Sequence, residues 1–398
     1  MVTVFPCKAD HIDGGVAGVS KYIADELIKH LDVKLTIVVP KGVVGETICE
    51  QWQNFNVYRV GKKGLGSFLP GTLYDIFAGK KQLKSLLKQI NPDIVHFQND
   101  AFLAANCPYP NILTIHGIAE YDAIWDSCWG LLRWAKHLLL KTTEQYGRNR
   151  ARNIILISEY VRKFLPQNNL RKTWLINNPI ADSFFGVDWQ PEPGRIFCCS
   201  RVRPLKNTVG MIKAFAKIRR RFPIAQLRIA GAAEPAYLRE CQREVKINNV
   251  SDNVSFLGNL SVEEVQNDLS KANCFAIPSF QENAPLSIAE AMAVGVPVVG
   301  ARVGGIPEMV EEGKTGLLID PYNVDNIAEA VLKVLTNRNL AISMSSRAKE
   351  IARSRYMASA VCEKTLKVYN EILPEKNRPT TNHKLTDTES KLICVSNK

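Results

Sequence analysis

No run of 18 apolar residues occurs in the 398-residue chain, so no segment has the length that a bilayer-crossing helix needs. The start, MVTVFPCKADHIDGG, has neither a basic stretch leading into an apolar core nor a cleavage signal. None of the ten cysteines stands in C-x-x-C spacing, and a chain this long needs no disulfide staple to build a core. Several thiols sit in apolar runs, Cys198 and Cys199 in RIFCC and Cys274 in NCFAIP, where cysteine behaves as a small buried hydrophobe. Free thiols in a reducing compartment are therefore expected, and with them a cytosolic protein able to touch a membrane surface. Acidic residues are in deficit, 39 against 51 Lys and Arg, for a net charge of +12. That excess favours an anionic partner: a nucleotide phosphate, a nucleic acid or an acidic membrane face. The basic residues are not interleaved with stacking aromatics in any recognisable module, which sets nucleic acid aside.

What the chain does have is alternation. Apolar runs at 2–5, 33–39, 93–97, 111–116, 153–158 and 173–177 read as strands. Between the first two lies KYIADELIKHL (21–31), with Ile23, Leu27 and Leu31 at helical spacing. Runs that are apolar throughout suit strands buried on both faces of a parallel sheet. The stretch 181–194, with Pro191, Pro193, Gly186 and Gly194, reads as a linker. A second alternation follows, with strands at 195–200, 226–231, 254–258, 274–278, 296–300 and 316–320. Helices fall at 208–221, 235–247 and 261–270, from about 286, and at about 323–337, 340–353 and 356–373. The tail 374–398 lacks periodicity and reads as disordered. The fold class is α/β: two Rossmann-like, doubly wound domains, 1–180 and 195–355, facing a central cleft. In such sheets ligands bind beyond the carboxyl ends of the strands.

The unusual residues fall in those loops. Glu282 lies just past the strand CFAIP, and Glu290 lies eight residues on, in SIAEAMA. Pro285 suits the first helical position, leaving the amides of Leu286 and Ser287 to point out of the helix toward an anion. A carboxylate is an acceptor pair suited to a vicinal diol such as a ribose. In SRVRPLKN (200–207), Arg201 and Lys206 are spaced so that both heads can converge on one diphosphate, with Arg203 between them in solvent. Gly14 and Gly15, in HIDGGVAGVSKY, allow close backbone approach to a ligand. His116 ends the strand NILTIH and is placed to enter the cleft, while His96 in DIVHF reads as structural.

Glu, seven residues, Glu, then AMAVGVPVV and a Gly-Gly loop resembles the retaining glycosyltransferases of the GT-B fold, family 4. The likeness runs from Asp13 to about Tyr369. It implies that Glu282 contacts the donor sugar's hydroxyls, that Glu290 holds the ribose, and that Arg201 and Lys206 match the family's G-R-x-x-x-x-K-G, with Ser200 and Asn207 in place of its glycines. It also implies that His116 contacts the donor sugar, that Gly14 and Gly15 approach the donor phosphate or acceptor, and that backbone near Leu257 and Gly258 reads the base. Asn283 and Ala284 stand where the family often has Gly and an aromatic residue. They join Leu286 and Ser287 as expected donor contacts.

The expected reaction moves a sugar from a nucleotide diphosphate, UDP or GDP before ADP, to a glycan or lipid-linked acceptor bound by the first domain. The expected setting is bacterial surface polysaccharide or glycolipid synthesis. No D-x-D occurs and no His/Cys cluster, so no metal and no cofactor is expected, Arg201, Lys206 and a helix dipole serving instead. The helix 356–373 is expected to cross back to the first domain. The segment 131–172, basic and carrying Trp134, reads either as a peripheral membrane contact or as a solvated face with Trp134 in the core. Two rivals stand beside this reading: a sugar-nucleotide epimerase of the same architecture, and a catalytically silent homologue acting as a partner protein.

Overall fold

Two mainly parallel sheets organise the chain in the computed structural model, which describes residues 1–7, 14–62, 71–122, 124, 130–167 and 171–374. Asp13, the start of the glycine-rich turn and the expected tail beyond residue 374 lie outside the described residues.

The first sheet holds β1 (Thr36–Val44), β2 (Ile48–Trp52), β3 (Phe55–Lys62), β4 (Val95–Gln98), β5 (Asn111–Ile115), β6 (Asn153–Leu156) and β7 (Lys172–Leu175). β1, β3 and β2 pair in that order, and β4 to β7 pair in sequence order. Val2 joins the two sets, bridging Val38 of β1 and Phe97 of β4. The strand expected at 2–5 is thus reduced to its first residues. Val4 turns to solvent at 51% exposure, and Pro6 has no N–H to continue the ladder. The register of β1 shifts between Val39 and Val43, around Pro40, which likewise donates nothing to a ladder. The antiparallel pair β2–β3 was not legible in the apolar pattern, because β2 is an exposed edge strand with little apolar face.

The second sheet holds β8 (Arg195–Cys199), β9 (Gln226–Ala230), β10 (Val254–Gly258), β11 (Cys274–Ile277), β12 (Val298–Ala301) and β13 (Gly316–Ile319). Its order is β10-β9-β8-β11-β12-β13, parallel at every pairing. β11 and β12 are buried at all positions, as strands covered on both faces must be.

Helices pack between these strands because their apolar residues recur at 3.6-residue spacing. The first, Gly15–Leu27, starts earlier and ends earlier than its apolar spacing implies: Leu31 lies beyond it, fully exposed. The helix Ala358–Ile372 crosses to the first sheet, where Val361, Cys362, Val368, Tyr369 and Leu373 join the core built by Met1, Phe5, Ile23, Leu27 and Ile112. Tyr369 hydroxyl and His96 Nδ1 share a 2.7 Å hydrogen bond, and His96 Nε2 meets Thr114 Oγ1 at 2.7 Å. Burial lowers the His96 imidazole to about 3, so it sits neutral between the two hydroxyls. Trp174 Nε1 donates to Glu371 at 3.2 Å, and the Ala358 amide donates to Asp182 at 3.2 Å. The crossing helix is therefore fixed to the first sheet by apolar burial and by the Tyr369 and Trp174 bonds, while Asp182 of the connecting segment holds its start.

Candidate functional site

The carboxyl ends of the two sheets meet at Asn283. This residue follows β11, and its Nδ2 donates to the backbone oxygen of His116, just past β5, at 3.0 Å. Its Oδ1 pairs with the hydroxyl of Ser158, just past β6. Next to it, Glu282 Oε1 accepts from Lys206 Nζ at 2.5 Å and from Ser279 Oγ at 2.8 Å. Lys206 comes from the loop after β8, and Glu282 is only 9% exposed. The carboxylate is thus enclosed against an ammonium partner rather than open to water.

Gly304 and Gly305 explain why the loop after β12 lies so close. A Cβ on Gly304, whose φ is +55°, would fall 1.6 Å from the Glu282 backbone oxygen, and one on Gly305 would fall 2.0 Å from that of Asn283. No other residue type fits there.

Glu290 stands one turn inside the helix Leu286–Val294, which begins at Leu286 with Pro285 as its N-cap rather than its first residue. Burial pushes its carboxyl up to about 7. Its electrostatic neighbours are Tyr22, from the first helix, and Cys199, at the end of β8, whose phenol and thiol are both raised, first by burial and then by this carboxylate. Leu286 and Ser287 are partly buried at the helix start, where the first amides have no acceptor within the helix. Gly15 packs against Leu286 across the cleft, its hypothetical Cβ lying 3.7 Å from Leu286 Cδ1. Gly14, at φ +91°, has open space beside it. Leu257 is partly buried, and Gly258 accepts the Gly231 amide at 2.7 Å. Ala284 packs against the second core.

His116 Nε2 meets Gln98 Oε1 at 2.6 Å, and its backbone amide donates to Asn99 Oδ1 at 2.9 Å. Burial lowers the imidazole to about 4, partly offset by Asn178, so the ring is neutral near pH 7. Arg201 is exposed, and the Lys206 head lies on Glu282. Arg203, expected in solvent, instead has Nε and Nη2 enclosed and without a hydrogen-bond partner.

Sequence reasoning missed the bonds that hold the cleft shut. Glu308 accepts the backbone amides of Glu159 and Tyr160 at 2.7 Å each, and Gln281 Nε2 donates to Tyr160 hydroxyl at 3.0 Å. Gln98, Ser158, Glu159 and Tyr160 all lie at or just past strand ends, the one signal that could have singled them out. Among the described residues, no group of three or more His, Cys, Asp or Glu could hold a metal ion.

A first half and a second half, each with its chemistry-bearing loops at the same edge, also match two known families. "Glycosyltransferase Family 4" matches residues 13–184, and "Glycosyl transferases group 1" matches residues 180–351. The chain belongs to glycosyltransferase family 4. The fold of this family 4 member is GT-B. Sucrose-phosphate synthase from Thermosynechococcus elongatus superposes with a TM-score of 0.73 at 19% identity, over 90% of this chain and 93% of that one. HepE of Anabaena, in complex with UDP and glucose, superposes with a TM-score of 0.68 at 16% identity, over 91% and 98%. Among curated proteins, a GDP-mannose-dependent alpha-(1-6)-phosphatidylinositol monomannoside mannosyltransferase of Mycobacterium tuberculosis is 33% identical over 166 residues, 40% of this chain and 43% of its own. A D-inositol 3-phosphate glycosyltransferase of Corynebacterium efficiens is 33% identical over 175 residues, 43% and 41%. Each match spans less than half of the relative. No helix among the described residues is long and apolar enough to cross a membrane.

Proposed function

We propose that the protein transfers a sugar from a nucleotide diphosphate to an acceptor hydroxyl with retention of configuration, the half 1–180 taking the acceptor and the half 195–355 the donor. The observation that carries this reading is the enclosed Lys206–Glu282 pair, one residue from the Asn283 bond to His116. Glu282 orients the sugar through its hydroxyls, and Glu290 accepts from the ribose diol. Lys206, Arg201 and the amides of Leu286 and Ser287 neutralise the diphosphate, so no metal is required. His116, neutral, holds the sugar from the opposite side. Gly14 and Gly15 let the backbone come close to the phosphates, and the loop at Leu257 and Gly258 meets the base.

Among the described residues no carboxylate stands out as a nucleophile for a covalent intermediate, which favours attack on the donor's own face. The bond from the anomeric carbon to the phosphate oxygen breaks as the acceptor oxygen bonds to that carbon. The acceptor's proton passes to the departing phosphate oxygen. The mannosyltransferase relative is GDP-mannose-dependent and HepE is seen with UDP and glucose, which supports GDP or UDP over ADP. A glycan or lipid-linked acceptor fits the basic first half. In the helix Gly130–Arg150, Trp134 and Leu138 are 61% and 43% exposed, which supports peripheral contact with an acidic membrane face through 131–172 rather than a core role for Trp134. Residues 131–133 have no described side chains, and 168–170 lie outside the described residues.

The test is thermal unfolding with UDP, GDP and ADP, each with and without EDTA. A nucleotide at about 100 times its Kd stabilises by about 2.7 kcal/mol, a shift of several degrees. One base is expected to shift the midpoint, with EDTA making no difference. No shift with any of the three refutes a donor site, and conversion of a nucleotide-sugar with no acceptor present favours the epimerase.

A further inference from the structure

Three consecutive residues, Leu205, Lys206 and Asn207, each bind the loop that follows β11. Leu205 accepts the Phe280 amide at 2.9 Å, Lys206 Nζ donates to Glu282 at 2.5 Å, and Asn207 Nδ2 donates to the Pro278 backbone oxygen at 3.2 Å. The same Nδ2 also donates to the Pro321 oxygen, just past β13, at 2.7 Å. Asn207 Oδ1 accepts the Gly210 amide at 3.2 Å and so caps the helix Thr208–Arg221.

One buried amide, 5% exposed, thus spends both its donors and its acceptor on three different segments. Its backbone is left-handed, with φ 53° and ψ 39°, a conformation asparagine tolerates better than most residues. The fit is close on the helix side as well, since a Cβ on Gly210 would fall 2.4 Å from Asn207 Oδ1. The pattern G-R-x-x-x-x-K-G puts glycine at this position. Glycine supplies the backbone conformation and none of the three side-chain bonds.

We propose that Asn207 is a positioning residue for sugar transfer: it stitches the loop carrying Lys206 to the loop carrying Glu282 and so sets the register of that pair. The inference rests on the transfer reading above and deepens it. When a diphosphate draws the Lys206 ammonium away from Glu282, the charged link between the loops is lost. The Asn207–Pro278 and Leu205–Phe280 bonds remain and keep Glu282 aimed at the sugar. Without Asn207 a single backbone bond carries that load, and the two charged groups drift apart as the donor settles.

The experiment compares wild type with Asn207→Gly, which keeps the left-handed backbone, and Asn207→Asp, which keeps an acceptor for Gly210 but loses both donors. Asn248→Ala, at a helix-end asparagine bonded to Glu244, is the control. The first readout is the acylation rate of Lys206 without ligand, followed by mass spectrometry. The second is kcat and KM with the nucleotide-sugar that the wild type uses. Both are measured well below each variant's unfolding midpoint.

Both Asn207 variants are expected to label Lys206 several-fold faster and to lose roughly 10- to 100-fold in kcat with little change in KM, while the control matches wild type. Unchanged Lys206 labelling in both variants overturns the proposal. So does faster labelling with wild-type kcat, which would make Asn207 structural only. A wild type that binds and turns over no nucleotide-sugar defeats the transfer reading instead, and the labelling then still decides whether Asn207 sets the Lys206–Glu282 register.

Discussion

Replacing Glu290 by glutamine is expected to stabilise the protein and to impair it. Burial holds the Glu290 carboxyl at about 7, against an ordinary value of 4.5. In the unfolded chain the group ionises near its ordinary value. Between about pH 4.5 and 7 the unfolded chain gives up a proton that the folded state keeps, so stability is lost as pH rises across that window and the loss is complete above it. A displacement of about 2.5 units corresponds to roughly 3 kcal/mol at pH 8, or about 2 once partial solvent contact is allowed for. Its neighbours Tyr22 and Cys199 are shifted upward and stay neutral throughout, so they do not titrate in this range. Glu290→Gln has no charge to hold. Its unfolding midpoint should exceed that of wild type by about 5 °C at pH 8, with the gap closing steadily toward pH 5. Titrations elsewhere in the chain cancel in the difference. The assay is thermal unfolding of both proteins at pH 5, 6, 7 and 8 without ligand, repeated with the nucleotide that binds. The nucleotide-induced shift should shrink in the variant, because an amide offers a ribose diol one acceptor oxygen rather than two. A pH-independent gap, or a variant less stable than wild type at pH 8, refutes the reasoning.

The cleft contact at Glu308 makes a second prediction. Glu308→Ala should speed amide exchange at Glu159 and Tyr160 about tenfold, the loss of one hydrogen bond's net worth, and raise the radius of gyration in small-angle scattering; unchanged exchange at both amides counts against the clasp. His116, with its imidazole near 4, should show ring resonances flat from pH 8 down to 5.5 and contribute no limb to the pH–rate profile in that range. A ring titrating near 6.5 would contradict the buried, Gln98-bonded placement.

The sequence carried the second half more fully than the first. β11 and β12 are apolar at every position because both faces are covered, and such runs announce themselves. The loop from Ser279 to Glu290 was legible for a different reason: a proline and two glutamates there serve chemistry, and the Gly304–Gly305 pair packs close against it. The pair β2–β3 escaped because an edge strand needs no continuous apolar face. The bond from Lys206 to Glu282 escaped because spacing limits reach but does not choose a partner. Arg203 was placed in solvent by its charge alone, whereas its Nε and Nη2 are enclosed. Asn207 looked like a departure from a pattern. Only the three-dimensional neighbours Pro278, Pro321 and Gly210 make it a tie.

The crossing helix has a consequence for the order in which the protein is made. The core under the first sheet is not complete until Val361, Cys362, Val368, Tyr369 and Leu373 arrive, whereas the core of the second sheet closes with residues from Ile180 to Tyr356. At about 5–20 residues per second, a ribosome takes roughly 10–40 s to pass from Ile176 to Tyr369. Through that interval the earlier-made half waits with an uncovered apolar face, and the later-made half is the first able to finish. A nascent chain stalled after Tyr356 therefore leaves a completed second half attached to a sticky, unfinished first one, the form a chaperone would recognise.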